Sequence, residues 1–338
     1  MLTSDKSIKD LMNEYGLQVL DYEPVRDVAR VVTDQGTKCL KGVTYDPTKL
    51  IFILSAMDHL YQNGFTRLPR VHRTNGGRPY ILGKKKCYFV TDWINGRECN
   101  FREPDDLALA STSLAELHLA SKGFVAPPGA RVKPKWGRWP RKIRSSAMDL
   151  LRYKQLARAK PAKSEFDNYF LTYVDYFYGQ ALKAIDIVGR SKYLQLVEDA
   201  RRDRTLCHHD YTYHNIMVDD AGRANVIDFD YCTYDVRIQD VGILVTRSGR
   251  RNDWDFGLAE STIENYNRVS KLHPEEIKVL HATCQFPKKF WRVANRYYEK
   301  KRPYVEEEFV GKLLKNVMEK EEKEAFLTEM AHFVKNYT

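Results

Sequence analysis

The N-terminal third of the chain is built from short β-type runs. Val28–Thr33 and residues 37–43 are rich in β-branched and apolar residues, and Thr33-Asp34-Gln35-Gly36 between them is a hairpin signal, so the two predict paired antiparallel strands. The period then changes. Leu50, Ile53, Leu54, Met57, Leu60 and Tyr61 recur at helical spacing, opened by Asp46-Pro47-Thr48 and closed by Asn63-Gly64. Two more strands are expected over residues 80–82 and 87–90, with Gly83 and Lys84-Lys85-Lys86 as a solvated tip between them. From about Asn95 the pattern becomes mainly helical. Leu107, Ala110, Leu114, Leu117 and His118 share one helical face, and helical patterns return at 165–184, 192–202, 255–269 and from 274 onward. A short strand-like island, 206–238, interrupts them. No internal repeat is visible. The expectation is an α+β protein with a small sheet-plus-helix lobe, residues 1–94, followed by a larger helical lobe, 95–338.

Composition fits this reading. The 338 residues suit about two domains, and 43% apolar with 12% aromatic content excludes a wholly disordered chain. No apolar run approaches the length of a membrane span; the one at 50–57 is broken by Ser55 and ended by Asp58. The first ten residues lack an apolar segment behind a basic one, so no secretory signal is expected and cytosolic synthesis follows. The six cysteines lie far apart and read as reduced, mostly buried thiols. The net charge of +10 is modest, and suits an anionic substrate, a nucleic acid or solubility alone. It is densest at 131–144, where seven basic residues and no acid interleave with Trp136 and Trp139 among several Pro and Gly. This stretch, within a basic region over 121–163, predicts a long surface insertion.

The chemistry is concentrated in the island. It contains His208-His209-Asp210, then Asn215 five residues after Asp210, a short strand, the turn Asp219-Asp220-Ala221-Gly222, a second strand, and Ile227-Asp228-Phe229-Asp230. Phosphoryl transfer requires an acid group beside the attacking hydroxyl and oxygen ligands that hold Mg²⁺ against the phosphates. Asp210 suits the first task, and Asn215 with Asp228 the second. The hairpin between them would fold Asp228 back beside Asn215. His208 reads as a structural histidine bonded to the loop backbone. The alternative is that Asp210 and Asp228 are ordinary turn carboxylates.

This segment resembles the catalytic and metal-binding segments of the protein-kinase-like superfamily, in its aminoglycoside phosphotransferase and choline kinase branch. Residues 227–235 followed by Asp240-Val241-Gly242 are similar to the CotS-type spore-coat proteins of endospore-forming bacteria. So are Thr37-Lys38-Cys39-Leu40-Lys41, Asn63-Gly64-Phe65, Asp92-Trp93-Ile94-Asn95-Gly96-Arg97-Glu98-Cys99, Trp254-Asp255 and Phe286-Pro287-Lys288-Lys289-Phe290-Trp291. The resemblance implies a protein-kinase-like two-lobe fold with ATP and Mg²⁺ as cofactors. It implies adenine bound by hinge backbone at Asp92, Trp93 and Ile94, and Lys41 as the phosphate-binding lysine. Lys38 is the other candidate. The two are an odd number of residues apart, so one strand should turn them to opposite faces, and Lys41 is preferred. The resemblance also implies a spore-forming source, a spore-coat destination and coat proteins as partners.

Two features depart from the pattern of active kinases. The helix over 50–59 contains no glutamate to anchor Lys41, only Asp58, and the turn near Glu23-Pro24-Val25-Arg26-Asp27 lacks glycine. Three readings stay open at this point. One is a phosphotransferase acting on a hydroxyl of an unidentified acceptor, in the spore coat or as a small-molecule kinase unrelated to spores. The second is a pseudokinase retained as a coat scaffold. The third, least favoured, is a nucleic-acid binder.

Overall fold

The structure, a computed structural model, describes residues 6–299 and 305–338. The chain divides into two compact units. The first comprises the chain up to Asn100, Thr112–Pro134 and Asp203–Tyr234; the second comprises Phe101–Ser111, Lys135–Arg202 and the chain from Asp235.

The first unit opens with α1 (Ile8–Asn13), capped by Ser7 and Asp10 in a reciprocal capping box. Strands β1 (Val19–Val25), β2 (Val28–Thr33) and β3 (Gly36–Val43) follow, then α2 (Pro47–Gln62), β4 (Ile81–Leu82) and β5 (Cys87–Asp92). These strands form an antiparallel sheet ordered β1-β2-β3-β5-β4. Burial alternates along β2, so one face of the sheet packs Ala29, Val31, Leu40 and Val90 against Leu11, Met12 and Leu17. α2 begins at Asp46, whose carboxylate accepts from the Thr48 N–H, and buries Leu50, Phe52, Ile53, Leu54, Met57 and Leu60. β1 was not expected, because its side chains are almost all exposed and leave no alternation to read. The predicted strand pair, the helix closed by Asn63 and the solvated lysine tip are all present.

The same unit then contributes β6 (Arg97–Glu98) and the second half of α3 (Pro104–Ala120), whose first turns are counted with the other unit. β7 (Leu206–Cys207) pairs with β10 (Thr233–Tyr234), and β8 (Ile216–Val218) lies between β6 and β9 (Ala224–Val226). Gly96, just before β6, has a φ of 144°, and a Cβ there would meet the Val218 carbonyl oxygen at 2.3 Å. Only glycine allows the chain to pass this close to β8.

The second unit is helical: α4 (Trp139–Ala159), α5 (Glu165–Gly189), α6 (Tyr193–Asp203), α7 (Ile238–Gly249), α8 (Phe256–Asn267), α9 (Pro274–Gln285), α10 (Lys288–Tyr298), α11 (Glu306–Met318) and α12 (Lys320–Asn336). Its aromatic core joins α4, α5, α10 and α11, with Phe166 stacked on Tyr297 and Phe177 on Phe290, both at 3.9 Å. Here one expectation is corrected. The basic stretch 131–144 is not a loop throughout, because from Trp139 it enters α4, where Pro140 occupies the first turn and Ile143, Ala147 and Leu150 are buried. The Pro- and Gly-rich composition described its first half only. Among the described residues, no helix is long and apolar enough to cross a membrane.

Candidate active site

Every sequence-derived site residue lies in the first unit. The turn between β8 and β9 is fixed by Asp219. Its carboxylate accepts from the Ala221 and Arg223 backbone N–H groups at 3.1 and 2.9 Å, from the Arg223 guanidinium and from Asn225 Nδ2. The backbone hydrogen bonds from Arg223, together with these side-chain donors, hold the Asp219 carboxyl down at about 2, outweighing what desolvation there is. The hairpin brings Ile227 N–H to the Asn215 carbonyl at 2.9 Å, so the metal-type residues Asn215 and Asp228 are neighbours as the spacing required.

His208 ties this loop together. It is fully buried; its Nδ1 accepts from the Asp210 N–H at 3.2 Å, so Nε2 carries the proton and donates to the Ile227 carbonyl at 3.0 Å. Its ring also stands edge-on to Phe229 at 4.9 Å. One side chain thereby links the backbone of the Asp210 loop to that of the Asp228 turn, the structural role expected of it. Two residues of this loop and turn hold left-handed backbone without being glycine, His209 at φ 64° and Asp228 at φ 62°. Such conformations cost of order 1–3 kcal/mol each and persist where the surroundings impose them.

Asn215 Nδ2 donates to the Asp210 carbonyl at 2.9 Å and to Asp210 Oδ2 at 3.2 Å. The amide nitrogen is therefore committed to the Asp210 loop, which leaves Oδ1 as the end that can ligate a cation. With the Asp228 carboxylate it forms a hard, oxygen-only donor set that fits Mg²⁺ rather than a softer metal.

Lys41 lies against this set. Its Nζ bonds Asp228 Oδ1 at 2.8 Å and Asp230 Oδ1 at 3.0 Å, and the Tyr45 hydroxyl donates to Asp230 at 3.2 Å. Burial disfavours the Lys41 ammonium, but Asp230 and Asp228 outweigh it and raise its pKa. The carboxylates diverge. Burial pushes Asp230 up, whereas at Asp228 the adjacent Lys41 overcomes the burial penalty and holds the pKa down. Asp228 is the committed anion of the pair. Asp230 and Tyr45 are absent from the sequence-derived set; the Asp-x-Asp spacing across the Phe229 turn was the available signal for the former, and nothing local marks the latter.

Lys38 faces the other way, as strand parity requires. It is opposite Asp92 in the β3–β5 register and donates to Asp92 Oδ1 at 2.8 Å, while His72 Nε2 meets the same oxygen at 2.7 Å. The His72 hydrogen bond, then Lys38, holds Asp92 at about 2 against burial. Of the hinge residues, Asp92 donates its N–H to the Arg70 carbonyl and Trp93 donates to Thr37. Ile94 N–H has no acceptor among the described residues.

The two sequence departures have structural counterparts. Asp58 on α2 is paired with Arg73, so no acid of α2 reaches Lys41 and the anchoring role falls to the Asp228–Asp230 turn. In the β1–β2 turn, Arg26 takes φ 54°, the left-handed geometry a two-residue hairpin usually gives to glycine. Its guanidinium bonds Glu98 at 2.8 Å.

A sheet-plus-helix unit carrying this loop and hairpin defines a class, the aminoglycoside phosphotransferase and choline kinase group of the kinase-like fold. An aminoglycoside phosphotransferase from Alicyclobacillus acidocaldarius superposes with a TM-score of 0.88 at 21% identity, covering 98% of both chains. Spectinomycin phosphotransferase APH(9)-Ia in complex with ADP and spectinomycin gives 0.59 at 14% identity, covering 99% of each. A choline/ethanolamine kinase family protein from Mesorhizobium loti gives 0.53 at 13% identity, covering 92% of each. Within that class, the chain belongs to the family described as "Spore coat putative kinase YutH", whose model matches residues 8–330. It is also similar to "Spore coat protein S" of Bacillus subtilis (strain 168), at 24% identity over 312 residues, 92% of this chain and 88% of that protein. The fold and spore-coat kinase-like family expected from the motifs are thus borne out.

Proposed function

We propose that the chain is an ATP- and Mg²⁺-dependent phosphotransferase that acts on a hydroxyl group of an acceptor at the spore coat. The observation that supports this best is the convergence of Asp210, Asn215, Asp228 and Lys41 within one unit, with Asn215 bonded to Asp210 and Lys41 to Asp228. In this reading the lobe boundary near residue 94 is the hinge, and adenine is read by the Asp92 carbonyl and the Ile94 N–H, with Trp93 flanking it. Asp210 accepts the proton of the acceptor hydroxyl as its oxygen bonds to the γ-phosphorus and the bond to the β–γ bridging oxygen breaks. Lys41 exchanges its carboxylate partners for phosphate oxygens and neutralises their charge. Mg²⁺ on Asn215 Oδ1 and Asp228 would shield the phosphates and favour the leaving group. The proposed destination rests on the names borne by the family and by the Bacillus subtilis relative, and makes other coat proteins the proposed partners.

Calorimetric titration of ATP with and without Mg²⁺ tests the reading without a choice of acceptor. Binding should require Mg²⁺, be lost in Asp228→Ala and survive in Asp210→Ala, which should instead lose phosphate transfer. Equal Mg²⁺-supported binding by wild type and Asp228→Ala would overturn the metal assignment. One observation favours a second reading, a coat scaffold without catalysis: Asp58 is spent on Arg73, and α2 sends no acid to Lys41. Absence of ATP binding at millimolar concentration would decide for the scaffold.

A further inference from the structure

The second unit carries a group of cations that nothing in the phosphotransfer reading uses. Lys288, Arg292 and Arg296 follow one another at helical i, i+4, i+8 spacing on α10, beside Lys289. Like charges at this spacing repel, and the first turn of α10 holds no acid to suit its positive end, only Lys288 and Lys289. Arg247, in the last turn of α7, is close enough to Lys288, Lys289 and Arg292 to disfavour the charge on all three, and Lys142 of α4 does the same to Lys288. Among the described residues, none of these six side chains has an ion pair. Glu319, an acid within electrostatic reach of Lys289, is already bonded to Arg250 at 2.6 Å and to Trp254 Nε1 at 3.3 Å.

A solvated basic face spreads its charges on long, flexible arms and leaves each in water. Half of this group departs from that. Arg247, Lys289 and Arg292 are half-buried, whereas Lys142 and Arg296 are exposed; Lys288, also exposed, lies where surrounding protein disfavours its charge. Desolvation first, and then the neighbouring cations, bring both lysines down to about 8. Concentrating unanswered charge in a desolvated setting costs stability, and an anion seated among the cations offsets that cost.

We propose that Arg247, Lys288, Lys289 and Arg292 form a binding site in the second unit for a compact anion with at least two negative charges, borne on phosphate or carboxylate groups. Lysine and arginine together supply point charge and planar, bidentate donors. A compact ligand fits because Lys289 and Arg292 of α10 and Arg247 of α7 are half-buried and within electrostatic reach of one another. A nucleic-acid duplex needs them strung along an exposed stripe instead.

The test requires neither ATP nor Mg²⁺, so its failure is distinct from failure of the phosphotransfer reading. Pyrophosphate and citrate are titrated separately into the full-length protein in EDTA at low salt. Binding of either is expected, weakening as salt rises. It should fall about tenfold or more in Lys288→Gln and in Arg292→Gln, persist in the charge-preserving Lys288→Arg, and persist in Lys41→Met. Binding of pyrophosphate alone would assign the site to phosphate, and binding of both to anionic groups in general. Three outcomes would overturn the proposal: no binding of either anion by wild type, equal binding by wild type and both Gln variants, or binding lost in Lys41→Met but kept in Lys288→Gln. Binding of duplex DNA but of neither small anion would overturn it as well, in favour of a nucleic-acid surface.

Discussion

Two groups of cations, one in each unit, are treated in opposite ways. In the first, buried Lys41 has two carboxylates on its ammonium and buried Lys38 has one, and the acids come from distant parts of the sequence to meet them. In the second, Lys288, Lys289 and Arg292 are crowded by further cations and have no acid of their own. A charge answered within the protein has its partner set by folding, and can pass to a ligand only by exchange. A charge left unanswered awaits a partner from outside. The first arrangement suits a site that must hold its geometry before substrate arrives; the second suits a site whose geometry the ligand completes.

The largest expected effect falls on the answered side. Asp210→Ala should lower phosphate transfer by about a thousandfold while leaving Mg²⁺-dependent ATP binding intact, because proton transfer by a positioned side chain contributes on that order. Steady-state turnover measured beside calorimetry separates the two quantities. A proportional loss of binding would instead make Asp210 a prop for Asn215, through the bonds it accepts from that amide.

Lys41→Met sharpens the contrast by turning an answered cluster into an unanswered one of opposite sign. Asp228 and Asp230 would then face each other with no cation between them. The cost is about 1–2 kcal/mol at neutral pH, since water reaches part of Asp228 and discounts the full penalty of a broken buried pair. The sign with pH follows from Asp228. Its folded pKa is depressed, so the stabilisation is present above the ordinary carboxylate value of 3.8 and disappears as the pH falls through the folded value. Denaturant midpoints of wild type and variant should therefore converge in acid. A constant gap would mean the lysine acts through its packing alone.

The answered site was largely legible in the sequence and the unanswered one was not, for a physical reason. Asp210, Asn215 and Asp228 lie within one short hairpin whose turn residues are local, so spacing alone brings them together. Strand parity separated Lys38 from Lys41 correctly. Lys288, Lys289 and Arg292 are close along α10, but Arg247 comes from α7, about forty positions earlier, and nothing local links it to them. α4 itself was masked by the Pro and Gly that precede it. β1 has no buried face and therefore no period. Tyr45 reaches Asp230 across 185 positions, beyond any local signal.

A pH titration examines the unanswered cluster as a whole. Lys288, Lys289 and Lys323 are each brought to about 8, first by burial and with help from neighbouring arginines and lysines, although Glu319 pulls Lys289 and Lys323 back towards the charged form. Between that value and the ordinary lysine value of 10.5, the unfolded chain holds protons that the folded chain has lost. Stability should therefore rise from pH 7 to about 9.5. Lys288→Gln with Lys289→Gln should flatten the rise, measured as the shift in thermal midpoint. Saturating pyrophosphate should flatten it too, by keeping the lysines charged. A falling or level curve in wild type would mean that the cations are solvated and the contrast between the two groups is only apparent.

The smallest effect comes from an answered charge that lies in water. Arg26 meets Glu98 at 2.8 Å, but the arginine side chain is 70% exposed, and exposed pairs of this kind contribute under about 1 kcal/mol. Arg26 also holds left-handed backbone at a cost of about 1 kcal/mol. Two substitutions separate these opposing contributions. Arg26→Ala loses the ion pair and keeps the strain, so its denaturation midpoint should fall slightly. Arg26→Gly loses the pair and the strain together, and should sit at or just above wild type. It also places glycine in the turn that would lie over the phosphates, where a residue without a side chain permits close backbone approach. Arg26→Gly should therefore bind Mg²⁺-ATP at least as tightly as wild type. If ATP binding weakens in both variants by a similar factor, the guanidinium itself contacts phosphate, and the Glu98 pair is a resting position from which it is drawn.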